Sequence, residues 1–211
     1  MTTHRNPAQS LNWHPDWSSG GDLTLLSSDE VAFSVPSRPI LAVSPALRPG
    51  AGGLLPLPLS SRLVLYFLDL ALYGQLDFLG PSDNYLTDVL SLAGWLDSLG
   101  ATSLINLLLV SGRAQRWPLA VEFLLGARLR RTDLCREALN RFNDDGRWRD
   151  TQWQPPGTVS DFATLCPRAL PLDLWSSVDR RFMWAWSVAD VPDTPPSFGL
   201  GDKFLEIYQT P

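Results

Sequence analysis

The 211 residues carry 22 acidic side chains, 17 basic ones and 2 histidines, a formal net charge of −5, with 45% hydrophobic and only 18% charged residues. That apolar fraction at so low a net charge excludes global disorder. The acidic balance disfavours wholesale nucleic-acid binding, whose affinity comes from cations placed on phosphates. Two cysteines are too few for a disulfide scaffold.

A chain of this size buries roughly 70% of its unfolded surface and so should hold a real core. All the basic residues but Lys203 are arginine, and the nine tryptophans are many for the length. The first twenty-one residues are polar and contain no apolar stretch of signal-peptide length. The most apolar region, 54–73, contains Pro56, Pro58, Arg62 and Asp69, which a bilayer penalises. The expectation is an intracellular chain, cytoplasmic or nuclear, with no membrane partner.

Residues 1–20 read as a polar N-terminal tail in which Trp13 and Trp17 could dock. Two short alternating segments, 22–26 and 31–35, flank the turn-forming Ser27-Ser28-Asp29-Glu30 and predict a β-hairpin that Pro36 and Pro39 end. Residues 40–47 predict a helical turn at most, and 48–53 a flexible loop. Leu54 to Leu59 can form only an edge strand, because Pro56 and Pro58 lack ladder donors.

From there the pattern turns helical. Ser60 or Ser61 can cap a helix over 62–73 that is apolar nearly all round and belongs inside the fold. Asp83 precedes a second helix with Leu86, Val89, Leu90, Ala93 and Leu96 on one face, and Gly100 suits its left-handed stop. Thr102 or Ser103 opens a third over 104–110 that Gly112 closes. Pro118 fits the first turn of a helix over 119–129. Thr132 caps another over 133–142, whose stripe is Leu134, Cys135, Ala138, Leu139 and Phe142. Asn143 to Gly146 predicts a turn, 147–158 a loop and 161–165 a short helix. Pro171 introduces a last helix to about Val188, lined on one side by Trp175, Val178, Phe182 and Trp186. Strands followed by a run of helices argue for an α+β fold, a small sheet packed on a helical cluster.

Enzymatic signatures are mostly absent. No G-x-S-x-G elbow, P-loop lysine or H-E-x-x-H motif is present, and both histidines, His4 and His14, lie in the N-terminal tail. Cys135 falls on an apolar stripe and Cys166 in an apolar stretch, so both read as packed thiols. Asn143-Asp144-Asp145-Gly146 fails as a calcium loop, since Arg141 and Gln152 would occupy positions that need acids. Gly50 to Gly53 lacks the helix start and basic residue of a phosphate cradle. Neither a cofactor nor a metal is implied.

Arg128, Arg130, Arg131, Arg136, Arg141, Arg147 and Arg149 concentrate positive charge. They read either as a patch for an acidic partner or, the favoured reading, as a solvated helix pair partly neutralised by Asp133 and Glu137. Trp184 lies opposite the stripe of the last helix. It either packs against Phe204 or Tyr208 of the C-terminal tail or anchors a partner.

The segments Gly21 to Leu26, Ser27-Ser28-Asp29, Val31 to Val35 and Ile40-Leu41-Ala42-Val43-Ser44-Pro45 resemble a BTB/POZ domain, most closely the divergent ones of basidiomycete fungi. Leu68 to Leu76 resembles that family's leucine-rich helix ending in Tyr-x-Gly. Leu86 to Leu99 and Leu104 to Leu109 resemble its final helical pair, and Trp117 to Leu139 the extension that often follows. The likeness covers roughly residues 21–142, through the order and spacing of individually soft motifs. The chain departs from the pattern at Pro36 to Pro39 and at Ala46 to Gly50, near surfaces that the family uses for dimerisation and, in some members, for a cullin scaffold.

The resemblance divides the chain into a tail (1–20), a BTB/POZ-like domain (21–112), a helical extension (113–190) and a Pro/Gly-rich C-terminal tail (191–211). It implies a non-catalytic protein-interaction module, either a homodimeric scaffold or a cullin-type ubiquitin-ligase adaptor, whose partners are proteins, a second copy of the chain included. Arg128, Arg131, Trp184, Phe204 and Tyr208 are the candidate contacts. The alternative is a small enzyme with a carboxylate acid/base site drawn from Asp69, Asp88 or Asp97, of which Asp69 stands out inside an apolar helix.

Overall fold

The computed structural model describes residues 11–76, 85–114, 117, 119–144, 178–189 and 199–210. Within it the chain is mixed α+β and mostly helical, with four strands and eight α-helices among the described residues. Two compact units are distinguished: residues 1–80 with 95–111, and residues 81–94 with 112–211. No helix among the described residues is long and apolar enough to cross a membrane.

The first unit is built on the hairpin that alternation predicts. Strands β2 (Leu23–Leu26) and β3 (Val31–Val35) pair antiparallel with Leu25 opposite Phe33 and Leu23 opposite Val35. Cross-strand partners share a face, so these four side chains form one apolar surface, and all are buried. The Ser27 hydroxyl closes the turn, accepting from the Val31 amide at 2.9 Å and donating to its carbonyl at 3.0 Å. The two outer strands are short. Strand β1 (Asn12–Trp13) runs parallel to β3, and β4 (Leu54–Pro56) parallel to β2, giving the order β1-β3-β2-β4. Asn12 and Trp13 of the expected tail therefore dock as a strand, and His14 stacks on Phe33 with centroids 5.1 Å apart. The proline-rich segment takes the edge, where a missing ladder donor is harmless.

Helix α1 (Ser37–Val43) begins three residues earlier than expected and includes Pro39. Proline is compatible with a first turn because the N–H there has no intrahelical partner to lose. The carboxylate of Asp22 supplies the cap from a distance, accepting the Ser37 amide and hydroxyl at 2.7 Å each. Helix α2 (Ser61–Leu68) is capped in the same way by Asp29, which accepts the Ser61 amide and hydroxyl, again at 2.7 Å. Ser60 stands at the N-cap and its carbonyl accepts the Val64 amide at 2.9 Å, but its hydroxyl makes no cap bond, and the Ser61 hydroxyl instead donates to the aspartate. Beyond Leu68 the helix widens into a π-helical turn over Asp69–Tyr73, so the expected single helix over 62–73 changes pitch midway. Ile40, Val64, Phe67 and Leu68 are fully buried.

Helix α3 (Tyr85–Ser98) buries Val89, Leu90, Ala93 and Leu96 as predicted, and Gly100 makes the left-handed stop at φ 66°. Helix α4 (Thr102–Ala114) corrects the reading of Gly112 as a terminator. Gly112 lies inside the helix, where a Cβ would overlap the Trp117 ring. The residue is small because an indole packs on it.

The second unit contains α5 (Leu119–Arg128), α6 (Thr132–Asp144), α7 (Arg180–Ala189) and α8 (Leu200–Gln209). A tight turn joins α5 to α6: Arg130 is left-handed at φ 55°, and the Arg131 amide donates to the Gly126 carbonyl at 2.7 Å. Helix α6 runs through Asn143 and Asp144, where a turn was expected. The stretch expected as a Pro/Gly-rich C-terminal tail holds α8, which packs on both α6 and α7. The expected elements at 147–165 and the start expected at Pro171 lie outside the described residues, as do Trp175, Cys166 and His4. Val178 and Asp179 are not helical, so the single helix expected up to Val188 is corrected to one that begins at Arg180.

Candidate functional site

Helix α7 divides its residues sharply between two environments. Asp179 caps it, Oδ1 accepting the Arg181 amide at 2.9 Å. Phe182, Met183, Ala185, Trp186 and Ala189 face inward and are buried. They meet an aromatic cluster in which Trp186 lies 4.5 Å from Phe123, and Phe182 lies 6.1 Å from Phe204 and 4.5 Å from Tyr208 between centroids. Arg180, Arg181, Trp184 and Ser187 face outward and are exposed.

The candidate contacts separate on this geometry. Trp184 stands 52% exposed, a large indole in water on the outer face of α7, and makes no ring contact with Phe204 or Tyr208, against which one reading would have packed it. Phe204 is fully buried, 5.7 Å from Phe123 between centroids, so it is corrected from a surface contact to a core residue. The physical reason is that α8 is a helix laid on the unit, with Phe204 on its inner face. Tyr208 is half-buried at the rim, with the Arg181 guanidinium 5.0 Å from its ring centroid. Arg181 also donates to the Thr210 carbonyl at 3.1 Å, and so fastens the end of α8 to α7.

The arginine run is largely engaged within the molecule. Arg131 pairs with Asp133 at 2.7 Å, Arg136 with Asp202 at 2.6 Å and Arg141 with Glu122 at 2.9 Å. The Arg131 hydrogen bond holds the Asp133 carboxyl below the usual carboxylate range. The Arg128 guanidinium lies over Gly94, Nη2 only 2.8 Å from where a Cβ would stand. Arg147 and Arg149 lie outside the described residues. Arg130 and Arg180 differ from these, each exposed and with neither an ion pair nor a hydrogen bond from its guanidinium among the described residues.

Sequence reasoning passed over Glu122. Its side chain is only 3% exposed, flanked by Arg141 and, at 3.5 Å, by Arg113, which also reaches Glu137 at 2.7 Å. Glu137 and Glu122 together make the Arg113 guanidinium still harder to deprotonate than usual. An acid inside the apolar run Leu119-Ala-Val-Glu122-Phe-Leu-Leu was the available signal, since a buried carboxylate needs partners.

The residues of the enzymatic alternative are dispersed in character. Asp69 opens the π-helical turn and is half-buried, Asp88 is half-buried on α3, and Asp97 is exposed. Cys135 is fully buried, its thiol facing the Phe123 carbonyl at 3.4 Å, and burial pushes its pKa far up. A thiol so held has almost no thiolate to act as nucleophile. Among the described residues no three His, Cys, Asp or Glu side chains are grouped to hold a metal ion.

No family model, curated protein or solved structure matches the chain.

Proposed function

We propose that the chain is a non-catalytic protein-interaction module, a divergent BTB/POZ-like domain with a helical extension, that presents a preformed surface to a protein partner. Support for the BTB/POZ-like part comes from the order of elements, a hairpin followed by α1, a third strand beside β2 and then helices. A homodimeric scaffold and a cullin-type adaptor are the two roles that follow from the resemblance, and both use a protein surface.

The observation that carries the reading is Trp184. Every other described face of α7 is either packed or polar, yet a tryptophan stands 52% exposed at its centre. Tryptophan is over-represented among residues that dominate binding, and truncating such an anchor costs about 2 kcal/mol or more, roughly thirtyfold in affinity. The test is affinity capture from the native cell with wild type and Trp184→Ala in parallel, together with light scattering of both. The expected result is a captured protein, or a dimer, that weakens or disappears in Trp184→Ala while the far-UV spectrum is unchanged. A strict monomer at high concentration, with the same capture profile for both chains, overturns the proposal.

A further inference from the structure

We infer that the partner segment seated on the outer face of α7 is an acidic peptide carrying an apolar side chain; this rests on the protein-interaction reading above. Helical spacing decides which side chains share that face. Residues three and four apart are neighbours, so Arg180 and Arg181 lie one turn before Trp184 and Ser187 and Val188 one turn after it. The face is therefore a tryptophan bordered on one side by two guanidinium groups and on the other by a small hydroxyl and a half-buried valine.

The polar groups of this face differ in what remains open to a ligand. The Ser187 hydroxyl is turned inward, donating to the Met183 carbonyl at 2.9 Å. Arg181 is partly engaged by the Thr210 carbonyl and the Tyr208 ring. Asp179, exposed at the start of the helix, accepts the Arg181 amide through Oδ1 only. Arg180, exposed and unpaired among the described residues, is the cation left open beside the indole. In the α5–α6 region Arg131, Arg136 and Arg141 each meet a carboxylate of the chain itself, while Arg130 is also open at the turn but has no exposed large aromatic beside it among the described residues of α5 and α6.

Complementarity then specifies the occupant. An open guanidinium takes a carboxylate in a bidentate, charge-assisted pair, and the indole takes an apolar or aromatic side chain through buried area. Both are satisfied by a peptide with an acid about one helical turn from an aromatic or aliphatic residue. A nucleic acid fits less well. Its backbone carries one charge per roughly 1.7 Å of duplex axis, and most of it would lie over a chain of net charge −5. A short acidic peptide places its charge only where the arginines stand.

The experiment uses the full chain and short, fluorescently labelled oligomers of four compositions read by anisotropy. Poly(Glu,Tyr) presents acids with aromatics, poly(Glu) acids alone, poly(Lys,Tyr) aromatics with the opposite charge, and single-stranded poly(dT) phosphates with bases. Poly(Glu,Tyr) should bind, weaken with added salt, and exceed poly(Glu) and poly(Lys,Tyr) by about tenfold or more, the effect of losing one good contact. Trp184→Ala and Arg180→Glu should each lose about tenfold as well, and Arg180→Lys should retain part of the binding. Both sites are exposed, and unchanged far-UV spectra confirm that the variants fold. Equal binding of poly(Glu,Tyr) to wild type and Arg180→Glu, or tighter binding of poly(dT), overturns the inference. If poly(Glu,Tyr) fails while cellular capture still depends on Trp184, the acidic class is wrong and the interaction reading stands.

Discussion

Asp22 and Asp29 perform the same task at two helix starts, each accepting a serine amide and hydroxyl at 2.7 Å. The hydroxyl and amide of Ser37 hold the Asp22 carboxyl below the usual carboxylate range. At Asp29 burial pushes the carboxyl up, but the hydrogen bonds it accepts, those of the Ser61 hydroxyl and amide among them, outweigh it, and the net direction is down. A carboxyl depressed in the native state stabilises the fold fully above its unfolded pKa, near 3.9. That contribution is lost as the pH falls through the lower native value. The expected outcome is a urea midpoint that declines from about pH 5 downward. In Asp22→Asn/Asp29→Asn the decline should be shallower and start from a lower plateau. Equal slopes for both chains would show that the two bridges do not couple folding to protons. Cys135 yields a second expectation at this scale. Its buried, upshifted thiol should resist iodoacetamide at pH 8 in the native chain and react in denaturant, as read by peptide mapping of residue 135. Native labelling at the denatured rate would contradict the burial. The sequence announced Cys135 plainly through its apolar stripe. It could not announce the aspartate caps, because they reach helices 15 and 32 residues further along the chain.

Elements were legible where their signal was local. Alternation and turn chemistry placed β2 and β3, and paired prolines placed β4 at an edge, because each cue lies within the element it describes. Helix α8 was not legible as a helix. Its ten residues contain Gly201 and follow a proline-rich run, and nothing in them alone compensates the cost of nucleating so short a helix. The compensation is tertiary. The Gly201 amide donates to Asn140 Oδ1 at 2.8 Å, Asp202 pairs with Arg136, and Phe204 enters the aromatic cluster. Gly112 was misread for the same reason, since the partner that requires a missing side chain, Trp117, was not visible as a contact. Gly201 therefore offers a direct test of how α8 is held. A Cβ there would overlap the Arg136 carbonyl and stand 2.7 Å from Asn140 Oδ1. Overpacking of this kind costs about 1–3 kcal/mol. Gly201→Ala should lower the denaturant midpoint accordingly and loosen protection of the α8 amides in hydrogen exchange. Unchanged protection would mean that α8 does not depend on this close approach.

At the scale of the whole molecule, charge governs which self-association is informative. The chain carries a formal net charge of −5 at pH 7, and its isoelectric point is near 4.9. Near that pH the mutual repulsion vanishes and folded proteins tend to associate through unspecific contacts. At pH 7.4 the repulsion is restored, and copies that stay together must do so through a complementary surface. Light scattering from pH 4 to 8 should therefore show two regimes. The first is a maximum near pH 4.9 that Trp184→Ala leaves unchanged. The second, if the partner on α7 is another copy of the chain, is a concentration-dependent dimer at pH 7.4 that Trp184→Ala removes. A dimer at pH 7.4 that survives Trp184→Ala would move self-association to a different face. The exposed indole would then be left for a partner of another kind. The outcome at neutral pH thus decides between self and non-self, a choice that composition cannot make because it fixes how strongly copies repel and not where they fit.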